Sequence, residues 1–167
     1  MENITIENLY DLKETIAADL FTEAEYPWEV LPRIHDFILE LGKRLPEEIY
    51  EKRGVLFNKV QVPHYNYVGD SVLGFKSHMG AGSITSNVKS DKTLVVVKNG
   101  EEKIETGLKK MGAMLGDHVE VGCNSVLNPG TVIGRNSNVY PTSCVRGVIP
   151  AGHIFKRPGD VVKKDNI

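Results

Sequence analysis

Residues 115–150 repeat with a period of six, and this repeat limits the fold more than any other feature of the chain. The fifth place of each six is small or β-branched, and three of the sixes have glycine second. The first place is always aliphatic: Leu115, Val121, Leu127, Ile133, Val139 and Val145. A period of six matches neither the 3.6 residues of a helical turn nor the two-residue alternation of an ordinary strand. It is typical of a parallel β-helix of hexapeptide repeats, in which three sixes close one triangular coil.

The same rhythm begins near residue 55, so the predicted fold is mainly β. Successive coils stack about 4.8 Å apart, and the first place of every six should therefore point into the interior. In the earlier coils we expect the inward places at Val62, Val68, Leu73 and Met79. Residues 88–112 interrupt the repeat, and Asn99-Gly100 between alternating segments predicts a β-hairpin. Such an insertion usually projects from its coil, where it can reach a neighbouring subunit or cover a site.

The sequence divides into three parts: a helical N-terminal segment over 1–50, the β-helix over 55–155 and a basic C-terminal tail over 156–167. The first part contains two apolar stripes at helical spacing, separated at Pro27, and each stripe predicts an amphipathic helix. The first stripe consists of Leu9, Leu12, Ile16 and Leu20. The second consists of Val30, Ile34, Phe37, Ile38 and Leu41 and should end near Gly42. Trp28 is interpreted as a packing anchor.

Charge is distributed unevenly between the two halves. Residues 1–51 carry 13 Asp and Glu against 4 Lys and Arg, a net charge of −9. The remainder carries 9 acids against 16 bases, a net charge of +7. A basic repeat half suits anionic small molecules such as phosphates and coenzyme A, although a solvated surface without function is an equal interpretation. No basic run points to nucleic acid.

The N-terminal sequence has no apolar signal segment, and no apolar run approaches the ~18 residues of a membrane span. Cys123 and Cys144 are not in a CxxC pair, so we expect free thiols in a reducing compartment. The predicted location is the cytoplasm.

Residues 63–87 have the sequence PHYNYVGDSVLGFKSHMGAGSITSN. They resemble the acetyltransferase half of N-acetylglucosamine-1-phosphate uridyltransferases. In that family the corresponding stretch reads H-x-x-Y-[LIV]-G-D followed by G-A-G-x-I-T-x-N. The resemblance covers about 60–157 and implies a left-handed β-helix, a homotrimer, and acetyl-CoA as co-substrate in a groove between subunits. The family's nucleotidyltransferase half, with its Gly-rich loop, has no counterpart in this sequence, so the chain is not expected to form a sugar nucleotide by itself.

The resemblance also implies roles for single residues. His64 looks like the general base that takes a proton from the amine of an amino-sugar 1-phosphate. Tyr67 and Asn87 look like groups that hydrogen-bond the amino sugar or the acyl carbonyl. Phosphate contacts are implied for Lys92 and for Lys52.

The implied coenzyme contacts are Cys123, Pro141 and Lys156 or Arg157. Lys109 and Lys110 either bind phosphates or solvate the loop, and the sequence leaves both interpretations open. The predicted activity is transfer of an acetyl group to glucosamine-1-phosphate or a similar sugar, within nucleotide-sugar metabolism.

Two other functions remain possible on the sequence alone. The N-terminal segment joins the repeat directly through EKRG (51–54), where relatives with such a segment have further coils, so the chain could be a non-catalytic trimeric scaffold or sugar-phosphate binder. Some left-handed β-helices bind zinc through three histidines. His64, His78 and His118 lack the close pair that such sites need, and no metal site is predicted.

Overall fold

The computed structural model describes residues 2–44 and 59–165. Its N-terminal segment is a series of short helices. The α-helices are α1 (Ile6–Leu9) and α2 (Ile34–Arg44). The 3₁₀ helices are Glu2–Ile4, Leu12–Glu14, Ala18–Phe21 and Pro27–Arg33. In the described ranges, no helix is long and apolar enough to span a membrane.

Three parallel sheets form the faces of a triangular prism, because each coil contributes one short strand to each sheet. Sheet B consists of β1 (Tyr67–Val68), β4 (Ile84–Thr85), β9 (Val126–Leu127) and β12 (Cys144–Val145). Sheet C consists of β2 (Val72–Leu73), β7 (Ala113–Leu115), β10 (Thr131–Ile133) and β13 (Val148–Ile149). Sheet A consists of β3 (His78–Met79), β8 (Glu120–Val121), β11 (Asn138–Val139) and β14 (His153–Arg157), with β15 (Asp160–Lys163) antiparallel at its end. The predicted fold class, a left-handed parallel β-helix of hexapeptide repeats, is confirmed.

The interior of the prism contains the first place of every six. All six aliphatic side chains between 115 and 150 are buried in one apolar cluster, and Leu73 and Met79 join them. The small residues at the fifth place are buried too, and several of their hydroxyls bond to backbone carbonyls. Ser137 Oγ donates to the Pro150 carbonyl at 2.8 Å, and Ser125 Oγ donates to that of Tyr140 at 3.1 Å. A hydroxyl at this place therefore satisfies a buried carbonyl that a larger apolar side chain would leave unpaired.

Val68 differs from the other inward places because it is 38% exposed. Its register beside Thr85 matches that of the buried positions in later coils. Its strand, however, is the outermost one of sheet B, so no described strand lies beyond it to complete the burial. The prediction that Val68 takes an inward place is therefore right about its register in the sheet and wrong about its burial.

The outward face of sheet C is covered by other parts of the same chain. Val72, Met114 and Val132 point away from the prism and pack in a second apolar cluster with the N-terminal segment. Val95 and Val97 of the insertion complete this cluster. The insertion forms the predicted hairpin, β5 (Val96–Asn99) and β6 (Glu102–Glu105), but it lies against its own prism. The expectation that it projects outward is wrong, because its two buried valines gain more by covering sheet C than by exposure to water.

The hairpin turn lies one residue later than predicted. Asn99 pairs with Glu102, so the two turn residues are Gly100 and Glu101. Gly100 adopts a φ of +62°, a conformation that glycine takes without strain. Glycine at the first central position is the pattern of a type II′ turn.

The prediction of one helix over Leu9 to Leu20 is wrong. Helix α1 ends at Leu9 because the chain turns there to meet the prism: the Leu9 carbonyl accepts from Asp117 N–H at 2.9 Å, and Asp11 N–H donates to the Asp117 carboxylate at 2.6 Å. Ile16, a member of the predicted apolar face, is 42% exposed. The second helix, by contrast, extends as far as Arg44, the last residue described before the gap, and Trp28 is buried and stacked on Tyr26.

Asp117 joins the N-terminal segment to two coils. Its carboxylate accepts from Phe75 N–H at 2.8 Å as well as from Asp11, and Arg135 Nη2 lies 3.6 Å away. Burial raises the pKa of this carboxyl above its ordinary value, and the two N–H donors and Arg135 oppose the shift only in part. The folded state therefore binds a proton on Asp117 more readily than the unfolded chain.

A pH-dependent stability follows from Asp117. A raised folded-state pKa contributes stability that is full below the ordinary carboxyl pKa and is lost as pH rises through the folded value. We expect the stability difference between the wild type and Asp117→Asn, from urea unfolding at a series of pH values, to shrink as pH rises from about 4. A difference that grows with pH would mean that the pairing with Arg135 outweighs desolvation.

Candidate functional site

One corner of the prism, between sheets A and B, aligns several of the predicted site residues. Gln61 pairs with His78, and His78 pairs with Glu120, on successive coils. His64 and Cys123 each lie three residues after a member of this set, so the two are in register. Pro141 follows Val139 as Cys123 follows Val121, and Val139 pairs with Val121. In the order of the coils the corner therefore presents His64, Ala81, Cys123 and Pro141, followed by Arg157 at the end of β14. We call this set the corner column.

Backbone hydrogen bonds link the corner column from coil to coil. Gly82 N–H donates to the His64 carbonyl at 2.9 Å, Asn124 N–H to Ala81 at 2.8 Å, and Thr142 N–H to Cys123 at 2.8 Å. Each donor adopts a positive φ, and this repeated left-handed residue turns the chain at every coil. At about 4.8 Å per coil, His64 and Cys123 are roughly 10 Å apart along the column.

His64 is exposed and its backbone has a φ of +56°. Asn66 fixes its turn: the amide donates to the Pro63 carbonyl at 2.6 Å and the Met79 carbonyl at 3.0 Å, and its oxygen accepts from Ser83 N–H at 2.7 Å. Over residues 2–44 and 59–165, the His64 imidazole has no hydrogen-bond partner. The ring is thus free to exchange a proton with a bound molecule.

Tyr67 and Asn87 meet beside Gly69. Tyr67 points outward from sheet B and is half exposed. A β-carbon placed on Gly69 would lie 2.8 Å from the Tyr67 hydroxyl and 2.8 Å from Asn87 Nδ2. The Asn87 amide donates to the carboxylate of Asp70, which adopts a φ of +40°. Only glycine at position 69 permits this arrangement.

A hydroxyl network supports the turn that carries Gly69. Gly69 N–H donates to Thr85 Oγ1 at 2.9 Å, and Ser71 Oγ donates to the Gly69 carbonyl at 2.7 Å. The Asp70 carbonyl accepts from Gly112 N–H at 2.8 Å, and the Asn87 carbonyl accepts from Met111 N–H at 2.9 Å. The end of the insertion therefore bonds to both residues of the Asp70–Asn87 pair.

Sequence reasoning gave no role to Asp70 or to this network. Asp70 belongs to the Gly-Asp pair of the motif that indicated the resemblance. Its place inside that motif was the signal that could have marked it as a site residue. Its partner Asn87 is 17 residues away, and only the coil register brings the two together.

The predicted phosphate contacts lie in the insertion or outside the described residues. Lys92 is exposed in a turn where its N–H donates to the Lys89 carbonyl at 3.1 Å. Lys110 immediately precedes Met111, so its backbone lies nearer to Asn87 than sequence distance suggests, and Lys109 precedes it. Lys52 lies outside the described residues.

The predicted coenzyme contacts lie along or next to the corner column. Cys123 is an exposed free thiol, and Pro141 is exposed on the next coil. Lys156 and Arg157 are exposed on β14, where Arg157 Nε lies 3.4 Å from the Asp160 carboxylate. The roles of all these residues stay predictions, although the structure brings most of them to one edge.

The three histidines considered for zinc are apart. His78 Nδ1 lies 2.9 Å from the Glu120 carboxylate on the outer face of sheet A, and His118 contacts the Phe75 ring edge-on. Within the described part of the chain, no group of three His, Cys, Asp or Glu side chains could hold a metal ion.

Comparison with curated proteins finds similar sequences in bifunctional proteins. A bifunctional sugar-1-phosphate nucleotidylyltransferase/acetyltransferase of Sulfurisphaera tokodaii is 33% identical over 119 residues, which are 71% of this chain and 30% of that protein. The bifunctional protein GlmU of Methanococcus aeolicus is 37% identical over 113 residues, 67% of this chain and 27% of that protein. The chain thus spans less than a third of the length of these relatives. No family model matches it. The predicted resemblance is confirmed as a similarity of sequence.

Solved structures with a similar fold share less sequence. A mutant of AntD, an N-acyltransferase from Bacillus cereus in complex with dTDP and coenzyme A, is 20% identical with a TM-score of 0.41, and the match covers 64% of this chain and 71% of that one. The hexapeptide-repeat containing acetyltransferase VCA0836 from Vibrio cholerae is 17% identical with a TM-score of 0.42, and the match covers 92% and 96%. At these values neither likeness carries an argument about function.

Proposed function

We propose that this chain transfers an acetyl group from acetyl-CoA to the amine of an amino-sugar 1-phosphate such as glucosamine-1-phosphate. The observation that carries the proposal is the corner column, which aligns His64 with the predicted coenzyme contacts, while Tyr67 and Asn87 lie on the adjoining face of sheet B. The name of the Sulfurisphaera tokodaii relative, which joins a nucleotidylyltransferase to an acetyltransferase, supports the same reaction type.

In the proposed mechanism the His64 imidazole is the general base. An imidazole can be neutral near pH 7 and still accept a proton, and this ring has no partner in the described chain to compete for its lone pair. The amine attacks the thioester carbonyl, the new C–N bond forms as the amine proton passes to His64, and the C–S bond breaks. The proton then moves from His64 to the departing coenzyme A thiolate. Backbone N–H groups of the site stabilise the oxyanion.

The coenzyme would extend along the corner column from His64 towards Arg157. Cys123 and Pro141 lie between these ends, and both are exposed. Cationic Lys156 and Arg157 suit the phosphates of coenzyme A, because the Arg157–Asp160 contact is exposed and can exchange for a phosphate. The acceptor phosphate would lie near Lys92 or Lys110 of the insertion, whose end is bonded to the Asn87 backbone.

A homotrimer is part of the proposal. The corner column and the outward side chains of sheet B form an open surface, and acyl transfer needs a site that excludes water. Ile84 and Tyr140, 37% and 46% exposed, border this surface and favour its burial against a second copy. The two free thiols suit a reducing compartment, and the cytoplasm is the proposed location.

The trimer predicts a sharp effect of charge on sheet B. A carboxylate at position 84 would be buried in the interface, so Ile84→Asp should convert a trimer of about 55 kDa, three times 18.5 kDa, into monomers. Sedimentation velocity measures this. Ile16→Asp, an equally exposed isoleucine on the N-terminal segment, is the matched control and should remain trimeric. Dissociation of both variants, or of neither, would contradict the proposed interface.

The reaction itself is tested by thiol release. Purified protein, acetyl-CoA and glucosamine-1-phosphate should release coenzyme A thiol in step with the N-acetyl sugar phosphate, and omission of the acceptor should abolish the signal. Binding of both ligands by calorimetry without any release would instead favour the non-catalytic binder. Absence of both binding and release would remove the proposed function.

A further inference from the structure

We infer that Asp70 is a positioning residue, whose carboxylate sets the orientation of the Asn87 amide for the reaction. The inference rests on the proposed function. It concerns a residue that touches neither substrate nor coenzyme in that proposal and acts through the side chain it holds.

The first step is the direction of the hydrogen bond between the two side chains. The Asn87 amide contacts Asp70 Oδ2. An ionised carboxylate can only accept, so Asn87 must turn its NH₂ group towards Asp70. Because the amide is planar, its carbonyl oxygen then faces away from Asp70. Asp70 thus determines which end of Asn87 is offered to a bound molecule.

The second step is that Asp70 itself is held. Its backbone adopts a φ of +40°, and its carbonyl accepts from Gly112 N–H at 2.8 Å. The preceding Gly69 is bonded to Thr85 and Ser71 on its two backbone groups. The backbone that carries the carboxylate is therefore held in place, and the carboxylate is bonded from there to Asn87.

The third step is position. Gly69 leaves room for both the Tyr67 hydroxyl and Asn87 Nδ2, because a β-carbon there would lie 2.8 Å from each of these atoms. With its NH₂ group turned towards Asp70 and Gly69, Asn87 presents its carbonyl oxygen, an acceptor, on the opposite side of the amide. An acceptor suits the N–H groups of a nucleophilic amine, which must point away from the thioester carbonyl during attack.

The consequence is a dependence of rate on Asp70. Without the carboxylate, the Asn87 amide can occupy two orientations, of which one presents the wrong group. Asp70→Asn tolerates the same positive φ, because asparagine is common in that region, but it no longer enforces one direction. We expect kcat for acetyl transfer to fall by about tenfold or more, with the KM for acetyl-CoA unchanged.

The experiment is a double-mutant cycle in the full chain. Asp70→Asn, Asn87→Ala and the double variant are compared in the thiol-release assay, with Asp36→Asn on α2 as the matched control. If Asp70 acts through Asn87, it has no further effect once Asn87 is alanine, and the effects are not additive. Additive effects, or an Asp70→Asn variant as active as the wild type, would overturn the inference.

A second readout does not depend on activity. The side-chain NH₂ resonances of Asn87, assigned by their loss in Asn87→Ala, should shift in Asp70→Asn and remain in place in Asp36→Asn. If the wild type proves inactive, the proposed function fails, and these resonances alone decide the inference. Unchanged Asn87 resonances in Asp70→Asn would overturn it.

Discussion

Replacing His64 by alanine is expected to lower kcat for acetyl transfer to glucosamine-1-phosphate by about 10²–10⁴-fold. The imidazole is exposed at the head of the corner column, and the other members of that column include no second imidazole. Alanine removes the proton acceptor while the turn, which Asn66 holds through three hydrogen bonds, keeps its shape. Stability and the KM for acetyl-CoA should therefore change little.

The matched control is His35→Ala, an exposed histidine on α2, far along the chain from the corner column. Single-turnover measurements with both variants separate chemistry from binding. A His64→Ala enzyme that keeps more than about a tenth of wild-type activity would exclude general-base catalysis by this residue.

Gly112→Ala is expected to disturb both the fold and the candidate site. A β-carbon there would contact the Gly69 carbonyl and Ser71 Oγ well inside the 3.0 Å that real β-carbons keep. The carbonyl belongs to the backbone and cannot move aside, so the Gly69–Asp70 turn must shift. We expect a loss of about 2–4 kcal/mol in the free energy of unfolding and a loss of most transferase activity.

Gly42→Ala provides the comparison, because a β-carbon at that helical position meets nothing within 4 Å. Alanine is also the better helix former, so this variant should match or exceed the wild type in stability. Urea unfolding of the two variants, together with the thiol-release assay, makes the measurement. Equal stability of Gly112→Ala and the wild type would show that the turn yields more easily than its contacts indicate.

The repeat predicted the interior of the prism because its chemistry is local. An aliphatic residue every six positions has one stable arrangement, and Leu115 through Val145 all occupy it. The repeat could not predict the exposure of Val68, because that exposure depends on what lies beyond the outermost strand of sheet B. Periodicity determines where a side chain points, and burial depends also on the neighbours.

Contacts between segments that are distant in the chain could not be predicted from the sequence. The stripe from Leu9 to Leu20 had helical spacing, yet Asp117, more than a hundred residues later, draws the chain out of a helix at Asp11. Val95 and Val97 alternated as in a hairpin, which was right, but nothing local indicated that sheet C would be their partner. Likewise, the Asp70–Asn87 pair exists only because successive coils are in register.

The covering of sheet C by the N-terminal segment and the hairpin has a consequence for assembly. In the described chain, one of the three sheet faces of the prism is already covered, so two sheet faces are left open to a neighbour. Those two faces share the edge that holds the corner column. Self-association through sheet A or sheet B would therefore place a second copy against a face that borders His64.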